Sequence, residues 1–285
     1  MTAEDTVFFS RNFIRLKGKL FSLETPFVMG ILNITPDSFY DGGKYSSEDQ
    51  VLTQANKLVS EGASIIDLGA VSTRPRAKEI SVSEELNRLL PTLKLLNDSF
   101  PETPISVDTF RSEVAKEAVA CGAAMINDIS GGTMDPFMLD TVAELGVPYV
   151  LSHIQRTPGD MQQDPHYDDI VAEVMDFLLL RLKKLQSIGL ADVIIDPGFG
   201  FGKTVEHNYT LLRKLSLLRM LDCPIMVGLS RKSMVNKVIG VGPDDALNGT
   251  TVLHTIALLH HASILRVHDV REAMETIRLV QKFHS

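Results

Sequence analysis

The chain has 285 residues, 44% of them apolar, and a formal net charge of −8. That length carries a full hydrophobic core as one large domain or two small ones, and the acidic balance speaks against a nucleic-acid or anionic-membrane partner. Two cysteines, Cys121 and Cys223, exclude a disulfide framework and are expected as buried small hydrophobes. The acidic start Met1-Thr2-Ala3-Glu4-Asp5 lacks the apolar stretch of a signal peptide, and no apolar run is long enough to cross a bilayer, so a cytoplasmic protein is expected.

Residues 7–23 alternate apolar and polar around Lys17-Gly18-Lys19, which predicts a β-hairpin ahead of the main fold. Apolar, β-rich segments then follow at 27–32, 64–69, 105–109, 125–129, 148–152, 193–196, 224–229 and 264–268. Amphipathic helical patterns lie between and after them, at 48–60, 84–98, 112–121, 136–145, 167–188, 206–220, 245–261 and 270–283. Strand alternating with helix implies parallel pairing. Eight such units predict an α/β fold, a closed (β/α)8 TIM barrel with an N-terminal hairpin, read as a single domain over 1–285. The runner-up is an open doubly wound sheet, but no GxGxxG opens the first unit. The acidic starts Ser47-Glu48-Asp49 and Ser83-Glu84-Glu85 read as ordinary N-caps.

The strand ends carry the chemistry. The first strand ends at Asn33, the second bears Asp67 and runs into Ser72-Thr73-Arg74, and the third ends at Asp108. Asn127-Asp128, Ser152-His153 and Asp196 close the next three. The seventh leads into Ser230-Arg231-Lys232-Ser233, and the eighth carries Arg266 and His268. A buried polar group without a partner costs about 1–3 kcal/mol, so eight polar endings on one rim argue for a ligand that satisfies them. Asp108, Asn127 and Asp196 suit a flat heterocycle with several N–H groups and ring nitrogens. Arg74, Arg231, Lys232, Arg266 and His268 suit an anion, most simply phosphate. Asp67 reads as structural, partnered within the rim.

The stretch Asp196-Pro197-Gly198-Phe199-Gly200-Phe201-Gly202-Lys203 concentrates this signal. Its glycines allow sharp bends and close ligand approach, and its acid, aromatic and lysine together read as a pocket wall. His254, His260 and His261 share one predicted helix, but no carboxylate or cysteine gives them zinc spacing. They read as packing or surface histidines. No GxSxG elbow occurs.

Seven strings in one order resemble the signatures of the dihydropteroate synthase family, a group of pterin-binding enzymes. They are Met29-Gly30-Ile31-Leu32-Asn33-Ile34-Thr35-Pro36-Asp37-Ser38-Phe39, Ser72-Thr73-Arg74-Pro75, Ser106-Val107-Asp108-Thr109, Asn127-Asp128-Ile129-Ser130-Gly131-Gly132, the Asp196–Lys203 stretch, Ser230-Arg231-Lys232-Ser233 and Arg266-Val267-His268-Asp269. The resemblance implies condensation of 6-hydroxymethyl-7,8-dihydropterin diphosphate with 4-aminobenzoate, giving 7,8-dihydropteroate and diphosphate. It implies that Asp108, Asn127, Asp196 and Lys232 hold the pterin, and that Asn33 ligates a magnesium ion (Mg2+). Thr73, Arg74, Arg266 and His268 would serve the diphosphate. Phe201, Lys232 and Ser233 would flank the aminobenzoate under Pro75 and Phe39, with Asp37 and Asp41 in a closing loop. Asp108, Lys232, Arg266 and His268 are the expected catalytic set. Sulfonamides are expected to compete with 4-aminobenzoate, and a homodimer contacting through 245–283 is expected.

Two departures stand out. Ala70-Val71 replaces the Gly-Glu usual before Ser-Thr-Arg-Pro, and Ser152-His153-Ile154 replaces the usual Met-His-Met. The rival readings are a pterin-binding methyltransferase and a non-catalytic paralogue. The first has no diphosphate to bind and should lack the Ser-Arg-Lys-Ser and Arg-Val-His sets together; this chain has both.

Overall fold

A computed structural model of the protein describes residues 13–34, 47–71 and 80–285. Short aliphatic segments form the eight parallel strands β3 (Phe27–Asn33), β4 (Ile65–Gly69), β5 (Ile105–Asp108), β6 (Met125–Asp128), β7 (Tyr149–Ser152), β8 (Val193–Asp196), β9 (Met226–Val227) and β10 (Ile264–Val267). They hydrogen-bond in the order β8-β7-β6-β5-β4-β3-β10-β9. A parallel bridge from Ile195 of β8 to Ile225, beside β9, brings the two ends together into a nearly closed barrel. Around it lie the helices α1 (Ser47–Glu61), α2 (Val82–Ser99), α3 (Ser112–Ala120), α4 (Met138–Leu145), α5 (Ile170–Ser187), α6 (Val205–Arg213), α7 (Ser233–Ile239), α8 (Leu247–Leu259) and α9 (Val270–His284).

Strand side chains alternate between two faces, and here the alternation separates two cores. Leu32, Leu68, Val107, Leu151, Ile195 and Val267 belong to the larger core, shared with the helices. Phe27, Met29, Ile65, Met125, Val150, Ile194, Met226 and Ile264 fill the barrel's own interior. Two residues further along β4, β6, β7, β8, β9 and β10, the inward positions change character to Asp67, Asn127, Ser152, Asp196, Gly228 and Arg266. The barrel is thus apolar in its N-terminal half and polar at its C-terminal rim.

The hairpin closes the apolar end. Strands β1 (Phe13–Leu16) and β2 (Lys19–Ser22) pair antiparallel across Lys17-Gly18, both with positive φ. Ile14 and Leu16, together with Leu23, pack onto the interior cluster and plug that mouth. The part of the predicted hairpin before residue 13 lies outside the described residues.

Four local expectations change. The N-cap of α2 is Ser81, whose hydroxyl accepts from the Glu84 amide, and Ser83 lies inside the helix. The predicted helix 206–220 is two elements: α6 ends at Arg213 with Lys214 as its C-cap, and a 3-10 turn runs over Leu215–Leu221. The predicted strand 224–229 shrinks to two residues, because Pro224 has no N–H and the chain turns after Gly228. Helix α7 was not predicted; its seven residues are too short for a periodic signal. Cys223 is buried as expected, whereas Cys121 is only half-buried at the core's edge, and both thiols are free. Among the described residues, no helix is long and apolar enough to cross a membrane.

Candidate active site

Asp67 is the hub of the polar rim. Fully buried on β4, it accepts from Asn127 Nδ2 of β6 at 3.0 Å and from Arg266 Nε of β10 at 2.6 Å. Arg266 Nη2 also donates to Asp108 Oδ2 of β5 at 2.7 Å. Four strands are therefore tied across the barrel by one guanidinium and two carboxylates. The structural reading of Asp67 holds, and its partners are site residues.

One cation for two acids leaves the cluster short of positive charge. Burial pushes the Asp108 carboxyl up to about 7, with Arg266 opposing and Asp67 adding to the rise. Burial alone would lower the Arg266 guanidinium, but Asp67 and Asp108 outweigh it and hold it above its ordinary value. Asp67 Oδ1, Asn127 Oδ1 and Ser106 Oγ are buried with no hydrogen-bond partner among the described residues. Such orphans are rare in a settled core, and acceptors of this kind match a ring that presents N–H groups.

Asp196 and the glycine loop form the next wall. Asp196 Oδ1 accepts from the Gly198 amide at 2.7 Å, and burial raises its pKa against the pull of Lys232. The half-buried Lys232 ammonium donates to the Phe199 carbonyl and lies 4.5 Å from the centre of the Phe201 ring. Its pKa is lowered to about 8, chiefly by desolvation, with Asp196 opposing. A Cβ on Gly200 would come within 3.1 Å of Lys232 Cδ, so the bare backbone here lets the lysine lie flat on the loop. Ser233 opens α7 beside it, exposed.

Asn33 ends β3 half-buried at the same rim. Its Oδ1 would stand 3.0 Å from a Cβ on Gly69, and Asp108 Cβ 3.7 Å from the same point, so Asn33 and Asp108 flank that glycine. His268 lies one residue past β10, its Nδ1 3.0 Å from Ser230 Oγ. His268 is exposed, yet crowding by protein atoms, then Arg266 and Arg231, lowers its pKa to about 4, a direction that runs against the cation expected.

Three other expectations change. Arg231 is not directed at the rim as an anion receptor: its Nε and Nη2 hold Asp269 at 2.9 and 2.7 Å, and Nη1 lies 3.5 Å from Asp244. Lys203 does not face the pocket; it is buried beneath the loop, 3% exposed. Glu85, read as part of an ordinary N-cap, is buried and accepts from Thr109 Oγ1 at 2.8 Å and Arg111 Nη1 at 2.7 Å. Only its place on the buried stripe with Leu89, Leu93 and Leu96 could have revealed it. Thr73, Arg74, Pro75, Asp37, Phe39 and Asp41 lie outside the described residues. His254 is buried and His260 pairs with Ser216 Oγ at 3.0 Å; among the described residues no group of three potential metal ligands forms.

The structure thus brings Asp108, Asn127, Asp196, Lys232, Arg266 and Asn33 to one rim, with Phe201 and His268 beside them. A protein family described as pterin binding enzyme matches residues 29–268. The dihydropteroate synthase of Escherichia coli strain K12 is 43% identical over 267 residues, covering 93% of this chain and 94% of that protein. The Yersinia pestis dihydropteroate synthase solved with a sulfonamide drug superposes with a TM-score of 0.89 at 40% identity, covering 95% of this chain and 99% of that one. The Xanthomonas albilineans enzyme in complex with 7,8-dihydropteroate gives 0.86 at 38% identity, covering 96% and 99%. With its barrel, its polar rim and these relatives in agreement over nearly its whole length, the chain belongs to the pterin binding enzyme family, among the dihydropteroate synthases.

Proposed function

We propose that this chain joins 6-hydroxymethyl-7,8-dihydropterin diphosphate to 4-aminobenzoate, releasing 7,8-dihydropteroate and diphosphate in folate synthesis. The convergence of Asp108, Asn127, Asp196 and Lys232 on one rim carries the reading, because that set of acceptors and one donor suits the edge of a pterin. The reaction breaks the C–O bond between the pterin's methylene carbon and the diphosphate and forms a C–N bond to the arylamine. The amine is neutral at pH 7, so its lone pair attacks without a strong base, and it sheds its proton after attack.

Positive charge develops on the methylene as diphosphate departs. Asp108 and Asp196 beside the ring favour that charge. Arg266, whose Nε and Nη2 are held by Asp67 and Asp108, would offer Nη1 to the leaving group, and His268 would donate a hydrogen bond. Lys232, between Asp196 and the Phe201 ring, would touch both substrates, with Ser233 beside the aminobenzoate. Thr73, Arg74, Pro75, Asp37, Phe39 and Asp41 belong to the two loops that would close over the site and exclude water.

Asn33 would ligate a magnesium ion at this rim: its amide oxygen is one hard donor, and waters and diphosphate oxygens would complete the shell. Bound there, it would supply charge neutralisation for the leaving group.

The protein would act in the cytoplasm, which two free cysteines support, and as a homodimer. Val252 and Leu259 of α8 and Leu279 and Phe283 of α9 are 50%, 41%, 72% and 76% exposed, an apolar face that suits a second copy. The test is direct: the protein with Mg2+, the pterin diphosphate and 4-aminobenzoate should release dihydropteroate and diphosphate in equal amounts, and neither product would refute the reading. Diphosphate release that 4-aminobenzoate does not stimulate would also count against it.

A further inference from the structure

Lys203 is a buried lysine that the proposed mechanism leaves unused. It closes the Asp196–Lys203 loop and folds back underneath it, 3% exposed. Its Nζ lies 2.9 Å from the Gly198 carbonyl oxygen, 3.0 Å from that of Phe201 and 2.9 Å from His153 Nδ1, with the His153 carbonyl at 3.4 Å. The two closest carbonyls accept N–H bonds from Nζ, and the third contact joins it to the imidazole, while burial holds the lysine well below its ordinary pKa. Burial, then the nearby Lys203, lowers His153 to about 2, so the ring that meets Nζ is neutral.

The glycines leave this arrangement no slack. Gly198 has φ +69, and a Cβ there would fall 1.8 Å from the His153 carbonyl oxygen; one on Gly202 would fall 2.7 Å from that of Gln155. The loop therefore lies directly on the segment after β7, with Lys203 clamped between them. On its other side, the Phe199 carbonyl accepts from Lys232 and Phe201 offers its ring to the same ammonium.

We propose that Lys203 is a positioning residue: a buried amino group that holds the loop carbonyls and Phe201 in the shape that seats Lys232 against both substrates. It touches no substrate and acts through Phe199, Phe201 and Lys232. The role rests on the synthase reading. The charged or titratable groups around it are Asp196 at the end of β8, Lys232 before α7, His153 after β7 and His207 on α6.

Lys203→Met keeps the side-chain length and removes the hydrogen-bonding group. In the full-length enzyme it should raise KM for 4-aminobenzoate by roughly ten- to a hundredfold, the weight of two lost hydrogen bonds, with a smaller change in KM for the pterin diphosphate. Tyr167→Phe is the comparison: it deletes the 2.8 Å hydrogen bond to the Gly202 carbonyl on the same loop without touching Nζ, and should leave both KM values nearly unchanged. A folded Lys203→Met enzyme with unaltered KM values overturns the assignment. Should that variant not fold, 15N NMR of lysine-labelled wild type decides: a Lys203 signal that responds to 4-aminobenzoate supports the role, and an unresponsive signal overturns it. Wild-type turnover in the same assay tests the synthase reading separately.

Discussion

At the scale of single residues, the site is governed by an imbalance of charge. Asp67, Asp108 and Asp196 share two cations, Arg266 and Lys232, and burial decides which group yields. Asp108 at about 7 and Lys232 at about 8 place two titrations on either side of a narrow window. As pH falls through 7, Asp108 gains a proton and ceases to be an ionised acceptor; as pH rises through 8, Lys232 loses its charge. The expected kcat/KM profile is a bell, and Asp108→Asn should remove its acid limb. An Asp108→Asn enzyme that keeps the same acid limb would show that another group titrates. The same shift has a stability sign: with its folded pKa raised, Asp108 contributes stability below its ordinary 3.8 that is lost as pH rises towards 7. Arg266→Ala should destabilise the fold by about 3–5 kcal/mol, because it strands the Asp67 carboxylate in the barrel. Denaturant titration should find that adding Asp67→Asn recovers part of that loss; purely additive losses would mean the pair is not coupled.

At the scale of elements, β4, β6, β7, β8 and β10 each do two jobs along one inward face. The first inward residue packs the barrel, and the residue two further on serves the site. The hairpin is the counterpart of that division, since it covers the apolar mouth opposite the polar one. Ile14→Ala and Leu16→Ala should each cost about 2–5 kcal/mol, as core truncations do, while leaving KM values nearly unchanged in the folded enzyme. Thermal melts and steady-state kinetics measured together check this; a raised KM without lost stability would link the plug to the rim. The element boundaries that shifted did so for local reasons. Lys214 ends α6 because its amide turns back to Thr210 and Leu211, and Arg231, at φ +56, sharpens the turn that separates β9 from α7. A hydropathy pattern records which face is buried and passes over such turns.

At the scale of the whole molecule, the proposed homodimer is tested through its apolar face. Leu279→Glu with Phe283→Glu should give a monomer by light scattering while leaving the barrel folded, since both side chains are largely exposed in one copy. A protein unchanged in mass would place the contact elsewhere. The alternation of strands and helices, the eight polar strand endings and the signature strings were all legible in the chain, because periodicity and local composition are written residue by residue. From these came the barrel, the hairpin ahead of it and the identity of the rim groups. Partnership was another matter. Arg231 and Arg266 look alike in sequence, yet Arg231 is held by Asp269 while Arg266 ties Asp67 to Asp108 across 199 and 158 residues of chain. Lys203 and Lys232 both border glycine-rich or serine-bearing turns, yet only one points at the rim. Charge state followed the same course: crowding and neighbouring cations push His268 away from its charged form. Local sequence fixes which groups a strand end presents, but a long-range ion pair or a desolvated pKa depends on what the fold sets beside them, and only the closed barrel decides that.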